Sequence, residues 1–152
     1  MIKTYIPRPI YLERIKPFID KEVIKVITGQ RRVGKSYLLF QIMDVIKKLH
    51  KNPHFLYINK ELNEFNDIKN YQDLLAYIKQ KTRGQTGKHY IFIDEIQEIE
   101  KFEKALRGLQ AKGGYDLYCT GSNAYFLSSE LATYLGGRAV EISVFSLSYA
   151  EF

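Results

Sequence analysis

Apolar positions along the chain keep two different spacings. Glu22 to Thr28 (EVIKVIT) runs with the short period of a β-branched strand and stops at Gly29, which predicts a first core strand. Leu38, Leu39, Ile42, Val45, Ile46 and Leu49 then recur at helical spacing until Asn52-Pro53, the pattern of an amphipathic helix with a stop signal. Phe55 to Asn59 (FLYIN) predicts a second strand, Tyr71 to Lys81 a helix with Leu74, Leu75 and Ile78 inward, and Arg83 to Lys88 a polar loop. Tyr90 to Asp94 (YIFID) is almost unbroken apolar sequence, as expected of a strand buried on both faces. A helix around Phe102 to Leu109 closes at Gly113-Gly114. Asp116 to Thr120 (DLYCT) predicts a strand, Tyr125 to Leu135 a helix, and Ala139 to Val144 (AVEISV) the last strand. Five strands alternating with helices imply a parallel α/β sheet with right-handed crossovers. The stretch to about Asp20 holds Pro7, Pro9 and Pro17, so it is expected to be turn-rich, with at most a short helix lying against the sheet.

Length and composition narrow the class. A chain of 152 residues that is 45% hydrophobic and 26% charged fits one domain, residues 1–152, with residues 1–20 as an extension packing on it. One cysteine, Cys119, excludes an internal disulfide, and no apolar run suggests a membrane span or secretion signal. A soluble, cytoplasmic protein without membrane partners is the expectation. The formal net charge of +6 favours anionic partners, with nucleic acid among them. The basic residues are spread along the sequence rather than gathered in one arm.

Chemistry concentrates in two places. Gly29-Gln30-Arg31-Arg32-Val33-Gly34-Lys35-Ser36, followed by Tyr37, matches G-x-x-x-x-G-K-[ST] between a strand and a helix, the context that confirms a phosphate-binding loop. Its glycines let backbone N–H groups turn inward beside a helix N-terminus. Lys35 is a cation for the β- and γ-phosphates of a nucleotide, and the Ser36 hydroxyl suits the shell of Mg²⁺. Arg31 and Arg32 are either anion contacts or solvated charges. Asp94-Glu95 ends an inner strand, where ligands of open α/β sheets collect. Asp94 is the second candidate for Mg²⁺, and Glu95 the candidate base for an attacking water. Asp-x-x-Gly is missing there, which disfavours a GTPase.

Thr120-Gly121-Ser122-Asn123 ends the next strand. Ser122 and Asn123 are placed to bond the γ-phosphate or water, to cap the following helix, or both. Gly136-Gly137-Arg138 presents a guanidinium for phosphoryl charge, across a subunit boundary in a homo-oligomer, or for a local salt bridge. Metal ligation by histidine carries little weight: Pro53 interrupts any helix between His50 and His54, and His89 has no nearby Cys or His companion. Cys119 reads as a small buried hydrophobe.

The phosphate loop, Phe92-Ile93-Asp94-Glu95-Ile96-Gln97, Thr120-Gly121-Ser122, Leu135-Gly136-Gly137-Arg138 and the closing Phe145-Ser146-Leu147-Ser148-Tyr149-Ala150-Glu151-Phe152 together resemble the AAA+-type ATPases of bacteria and archaea. That resemblance implies a three-layer P-loop sandwich with sheet order 5-1-4-3-2. It implies a Walker A loop at Gly29 to Ser36, a Walker B pair at Asp94-Glu95, sensor 1 near Ser122 or Asn123, and an arginine finger at Arg138. Members of that family continue past the Glu-Phe block, so a helical lid and a further domain are expected beyond Phe152. Tyr5-Ile6-Pro7-Arg8-Pro9 is expected to pack over adenine or to protect a sheet edge. The expected activity is hydrolysis of Mg-ATP to drive conformational change, the alternatives being a nucleotide-dependent switch or interaction module with negligible hydrolysis and a small-molecule kinase.

Overall fold

A computed structural model describes residues 9–30, 33–122 and 129–145. Five strands, β1 (Ile24–Thr28), β2 (His54–Asn59), β3 (His89–Asp94), β4 (Tyr115–Gly121) and β5 (Ala139–Ser143), pair in parallel in the order β2-β3-β4-β1-β5. This is the expected 5-1-4-3-2 arrangement, written from the other edge. The helices are α1 (Pro9–Ile15), α2 (Lys35–Leu49), α3 (Tyr71–Thr82), α4 (Phe102–Lys112) and α5 (Ser129–Leu135).

Alternation along the strands explains the layering, because successive side chains point to opposite faces. Ile24 and Val26 of β1 join a core with Leu74 and Ile78 of α3 and Phe102, Leu106 and Leu109 of α4. Ile27, from the same strand, faces Leu38, Leu39, Ile42 and Ile46 of α2, with Tyr11 and Ile15 of α1 in the same cluster. Helices therefore cover both faces, and all of β3 is buried, as its apolar run predicts.

Differences from the sequence expectations lie at element ends. The first strand begins at Ile24, whose N–H is taken by the Arg138 carbonyl at 2.8 Å. α2 begins at Lys35, directly after Gly34, whose φ of 90° turns the chain into the helix. α3 opens with a capping box: Asp73 N donates to Asn70 Oδ1 at 2.9 Å, and Asn70 N donates to Asp73 Oδ2 at 3.3 Å. The expected helix from Tyr125 is described from Ser129 on. Its first residues, the Tyr5 to Arg8 stretch and the block after Phe145 lie outside the described residues.

Candidate functional site

Because every strand is parallel, β1, β3 and β4 all end at one edge, and Gly29, Glu95 and Ser122 follow there. Gly29 approaches other backbone too closely for any side chain. A Cβ at this position would lie 2.5 Å from the Val144 carbonyl oxygen and 2.9 Å from Val33 Cγ2. Its N–H donates to Gly121 O at 3.3 Å, joining the loop to the end of β4.

Lys35 and Ser36, the first residues of α2, reach the two acids. The Ser36 hydroxyl donates to Asp94 Oδ2. Tyr57 of β2 donates to the same oxygen at 2.9 Å, and Thr120 of β4 donates to Asp94 Oδ1 at 2.5 Å. Three hydroxyls from three elements thus converge on one buried carboxylate. Burial, followed by the Asp94 charge, raises the Tyr57 phenol far above its ordinary value, so it remains a donor.

Lys35 Nζ donates to Gly29 O at 2.6 Å and Gly121 O at 3.2 Å, and lies 3.3 Å from Glu95 Oε1. Three acceptors match the three hydrogens of a buried ammonium. Glu95 has a left-handed backbone, φ 57° and ψ 54°, a conformation costing a non-glycine residue on the order of 1 kcal/mol. Its N–H donates to Thr120 Oγ1 at 2.9 Å, and its Oε2 accepts from Gln97 Nε2. The bend faces its carboxylate toward Lys35 rather than along the strand. Gln97 Oε1 is buried and has no partner among the described residues.

Gly29, Gln30, Val33, Gly34, Lys35, Ser36 and Tyr37 follow one another through the loop and first helical turn, with Tyr37 half exposed. Ser122 comes directly after Gly121, whose carbonyl holds Lys35. Arg31, Arg32 and Asn123 lie outside the described residues. Arg138 precedes β5 at the opposite edge. The length of β1, about 13 Å at ~3.3 Å per residue, separates it from the phosphate loop of its own chain.

Sequence reasoning missed Thr120, Tyr57 and Gln97 as individual contacts. Thr120 was visible within the Thr-Gly-Ser-Asn block and Gln97 in its place two residues past Glu95. Tyr57 gave no signal beyond being a strand residue. The expectation that His89 lacks a histidine companion needs correction, because β2 pairs with β3 in a register that brings the His54 and His89 rings to 5.1 Å. Among the described residues no group of three or more His, Cys, Asp or Glu side chains is placed to hold a metal. Burial pushes the Cys119 thiol up to about 12, the behaviour of a hydrophobe.

Volume does not mark this chemistry. A cleft of about 320 Å³ opens at the other sheet edge, lined by Lys79, Arg83, Gly87, His89, Lys112 and Gly113 among others. At the phosphate loop the polar groups instead close on one another. Among the described residues no helix is long and apolar enough to cross a membrane.

A family model described as an AAA domain matches residues 21–152. The chain is 42% identical over 153 residues to an uncharacterized protein of Haemophilus influenzae, covering all of this chain and 38% of that protein. An uncharacterized protein of Methanocaldococcus jannaschii is 36% identical over 129 residues, covering 85% of this chain and 28% of that one. The chain therefore spans between about a quarter and two fifths of the length of these curated relatives. Among solved structures, that of Saccharomyces cerevisiae RIF2 aligns with a TM-score of 0.61 at 14% identity, covering 94% of this chain and 57% of that one. At that identity the likeness is one of fold.

Proposed function

The chain belongs to the AAA domain family, and on that premise we propose that it binds ATP with Mg²⁺ at the phosphate-loop edge and hydrolyses it to ADP and phosphate to drive a conformational change. The supporting observation is the meeting of loop and acid pair: Ser36 Oγ donates to Asp94 while Lys35 lies 3.3 Å from Glu95. The Ser36 hydroxyl and the Asp94 carboxylate are hard oxygen donors on adjoining elements, the donor chemistry that suits Mg²⁺. When bound, that ion neutralises charge on the phosphate oxygens.

The chain's own residues do the remaining work. Backbone N–H groups from Gly29 to Ser36 and the start of α2 hold phosphate charge. Lys35 exchanges its carbonyl and carboxylate partners for phosphate oxygens, which releases Glu95 Oε1. Glu95, aimed by its left-handed backbone, then accepts the proton of the attacking water. Thr120 keeps the two acids in register by bonding Asp94 and the Glu95 N–H together. Ser122 and Asn123 sense the γ-phosphate, and Arg31 and Arg32 add positive charge to the loop. Arg138, remote from its own loop, acts on a second copy.

One observation favours a second reading, a nucleotide-dependent switch with negligible hydrolysis: both oxygens of Glu95 are already engaged, by Lys35 and by Gln97. Titration and phosphate release separate the two readings. Lys35→Ala is expected to weaken ATP binding by about 2–5 kcal/mol. Glu95→Gln is expected to keep binding and lower hydrolysis by about 10²–10⁴-fold. Equal phosphate release by Glu95→Gln and wild type would remove Glu95 as the base.

A further inference from the structure

The basic residues that look scattered in the sequence are gathered by the fold at one place. The segments leading into the strands, residues 20–23, 47–53, 79–88, 110–114 and 136–138, carry ten Lys and Arg side chains, all exposed, against two acids, Asp20 and Glu22. α2, α3 and α4 end at this same edge. Some of these cations therefore do no more than balance helix C-termini, each worth about −0.5 charge. With α5, which ends here at Leu135, four such ends amount to about −2, which with the two acids leaves most of the positive charge unmatched.

The arrangement is a row. Each strand is entered just after an exposed cation, and in sheet order these are Lys51, Lys88, Lys112, Lys21 and Arg138. At ~4.8 Å between neighbouring strands the row extends about 19 Å. In the same part of the edge, Lys79, Arg83 and Lys112 line the cleft of about 320 Å³, whose lining contains no carboxylate. Gly113 and Gly114 form part of that lining, and a Cβ at either would meet nothing within 4 Å.

We infer that this edge binds the phosphate backbone of a nucleic-acid duplex. At ~3.4 Å of rise per phosphate along one strand, the row faces about five or six phosphates, so it fits a repeating polyanion better than a single phosphate. An indented, glycine-lined cleft receives a backbone ridge, whereas a flat headgroup plane would span it. Leu49 is the one large apolar side chain among the described residues that stands strongly exposed at this edge, which gives a bilayer little to bury. Single strands are held by a charged groove together with exposed aromatic platforms on which bases stack, and Tyr115, the aromatic that lines the cleft, is partly buried in the core. Backbone contact of this kind positions without reading sequence.

The test is fluorescence anisotropy with the 152-residue chain and a labelled duplex of arbitrary sequence, titrated across salt concentrations. Five phosphate contacts, drawn from Lys21, Lys51, Lys88, Lys112 and the cleft cations Lys79 and Arg83, predict a slope of log K against log[salt] of about −4.5. The triple variant Lys21→Gln/Lys51→Gln/Lys112→Gln should flatten the slope to about −2. It should also weaken binding by about eightfold per lost contact at 100 mM salt. A second triple variant on the opposite edge, Lys69→Gln/Lys101→Gln/Lys104→Gln, makes the same change in net charge and should keep the wild-type slope. Equal losses in both variants, no duplex binding by wild type at 50 mM salt, or binding confined to phosphatidylserine vesicles would each overturn the assignment. Melting temperatures confirm that both variants fold, and neither variant touches the phosphate loop or acid pair, so the outcome is independent of ATP hydrolysis.

Discussion

At the edge where the strands end, acids outnumber bases and the important ones are buried and paired; at the edge where the strands begin, bases outnumber acids and stand in water. Residues 29–37, 60–70 and 94–101 hold seven Asp and Glu against six Lys and Arg, three of those cations in the phosphate loop. There Asp94 and Glu95 are consumed by hydroxyls, Lys35 and Gln97 within the protein. Beneath the exposed cations of the other edge lies one buried knot. Lys25 pairs with Asp116, which also accepts from Tyr118 at 2.6 Å and from the Asp20 N–H at 3.0 Å. Burial lowers the Lys25 pKa, while the Asp116 charge opposes that shift. The two buried ion pairs therefore differ in kind. Lys35–Glu95 sits where a phosphate can compete for the cation, whereas Lys25–Asp116 is closed by backbone and phenol partners and holds the N-terminal segment to the sheet.

That difference can be broken first at Asp116. Asp116→Ala leaves a buried ammonium without its counter-charge, a loss of about 3–5 kcal/mol. Urea unfolding should show a much lower midpoint, while ATP affinity of the folded protein stays within about twofold. An unchanged midpoint would mean that the knot contributes nothing, and a large fall in ATP affinity would join two edges that are separated here.

Thr120→Val tests the other edge more gently. The variant keeps the shape of the side chain but leaves Asp94 Oδ1 and the Glu95 N–H without their partner. The expected cost is about 1–3 kcal/mol of stability, with slower phosphate release because the left-handed Glu95 loses its anchor. Wild-type values for both would show that Lys35 and Gln97 hold Glu95 without Thr120.

How much of this was readable follows from the range of each interaction. Glycine, lysine and serine at fixed offsets between a strand and a helix reported the phosphate loop, because that geometry is local. The acid pair was legible for the same reason, at the end of an apolar run. Thr120 could not be singled out from Ser122 and Asn123. Which of them touches Asp94 depends on β3 and β4 being neighbours and on their register. Tyr57 was silent because a tyrosine in a strand is ordinary until the pairing of β2 with β3 puts Asn59 opposite Asp94. The basic edge was hidden more deeply. Lys21, Lys51, Lys88 and Lys112 are far apart in sequence, and only parallel topology returns every strand to the same starting edge.

The same topology produces the smallest predicted effect, at His89. Burial pushes its pKa below the usual histidine value of 6.5, a hydrogen bond that the ring donates to the Gln85 backbone carbonyl opposes the shift, and the neighbouring His54 adds to it. The unfolded chain then takes up a proton more readily than the folded one, so stability increases with pH through this range. The contribution is complete above about pH 6.5 and declines as pH falls toward the lower folded value. Asp20, whose pKa burial raises but Tyr90, His50 and Lys88 together hold below 3.8, loses its contribution only in more acidic solution. Melting temperature should therefore fall modestly between pH 7 and pH 5, and His89→Phe should flatten that fall. His54→Asn should flatten it only in part, since it removes a neighbouring charge but leaves the burial. If His89→Phe keeps the full slope, the proton enters elsewhere, and the starting edge of the sheet titrates through a group other than the paired histidines.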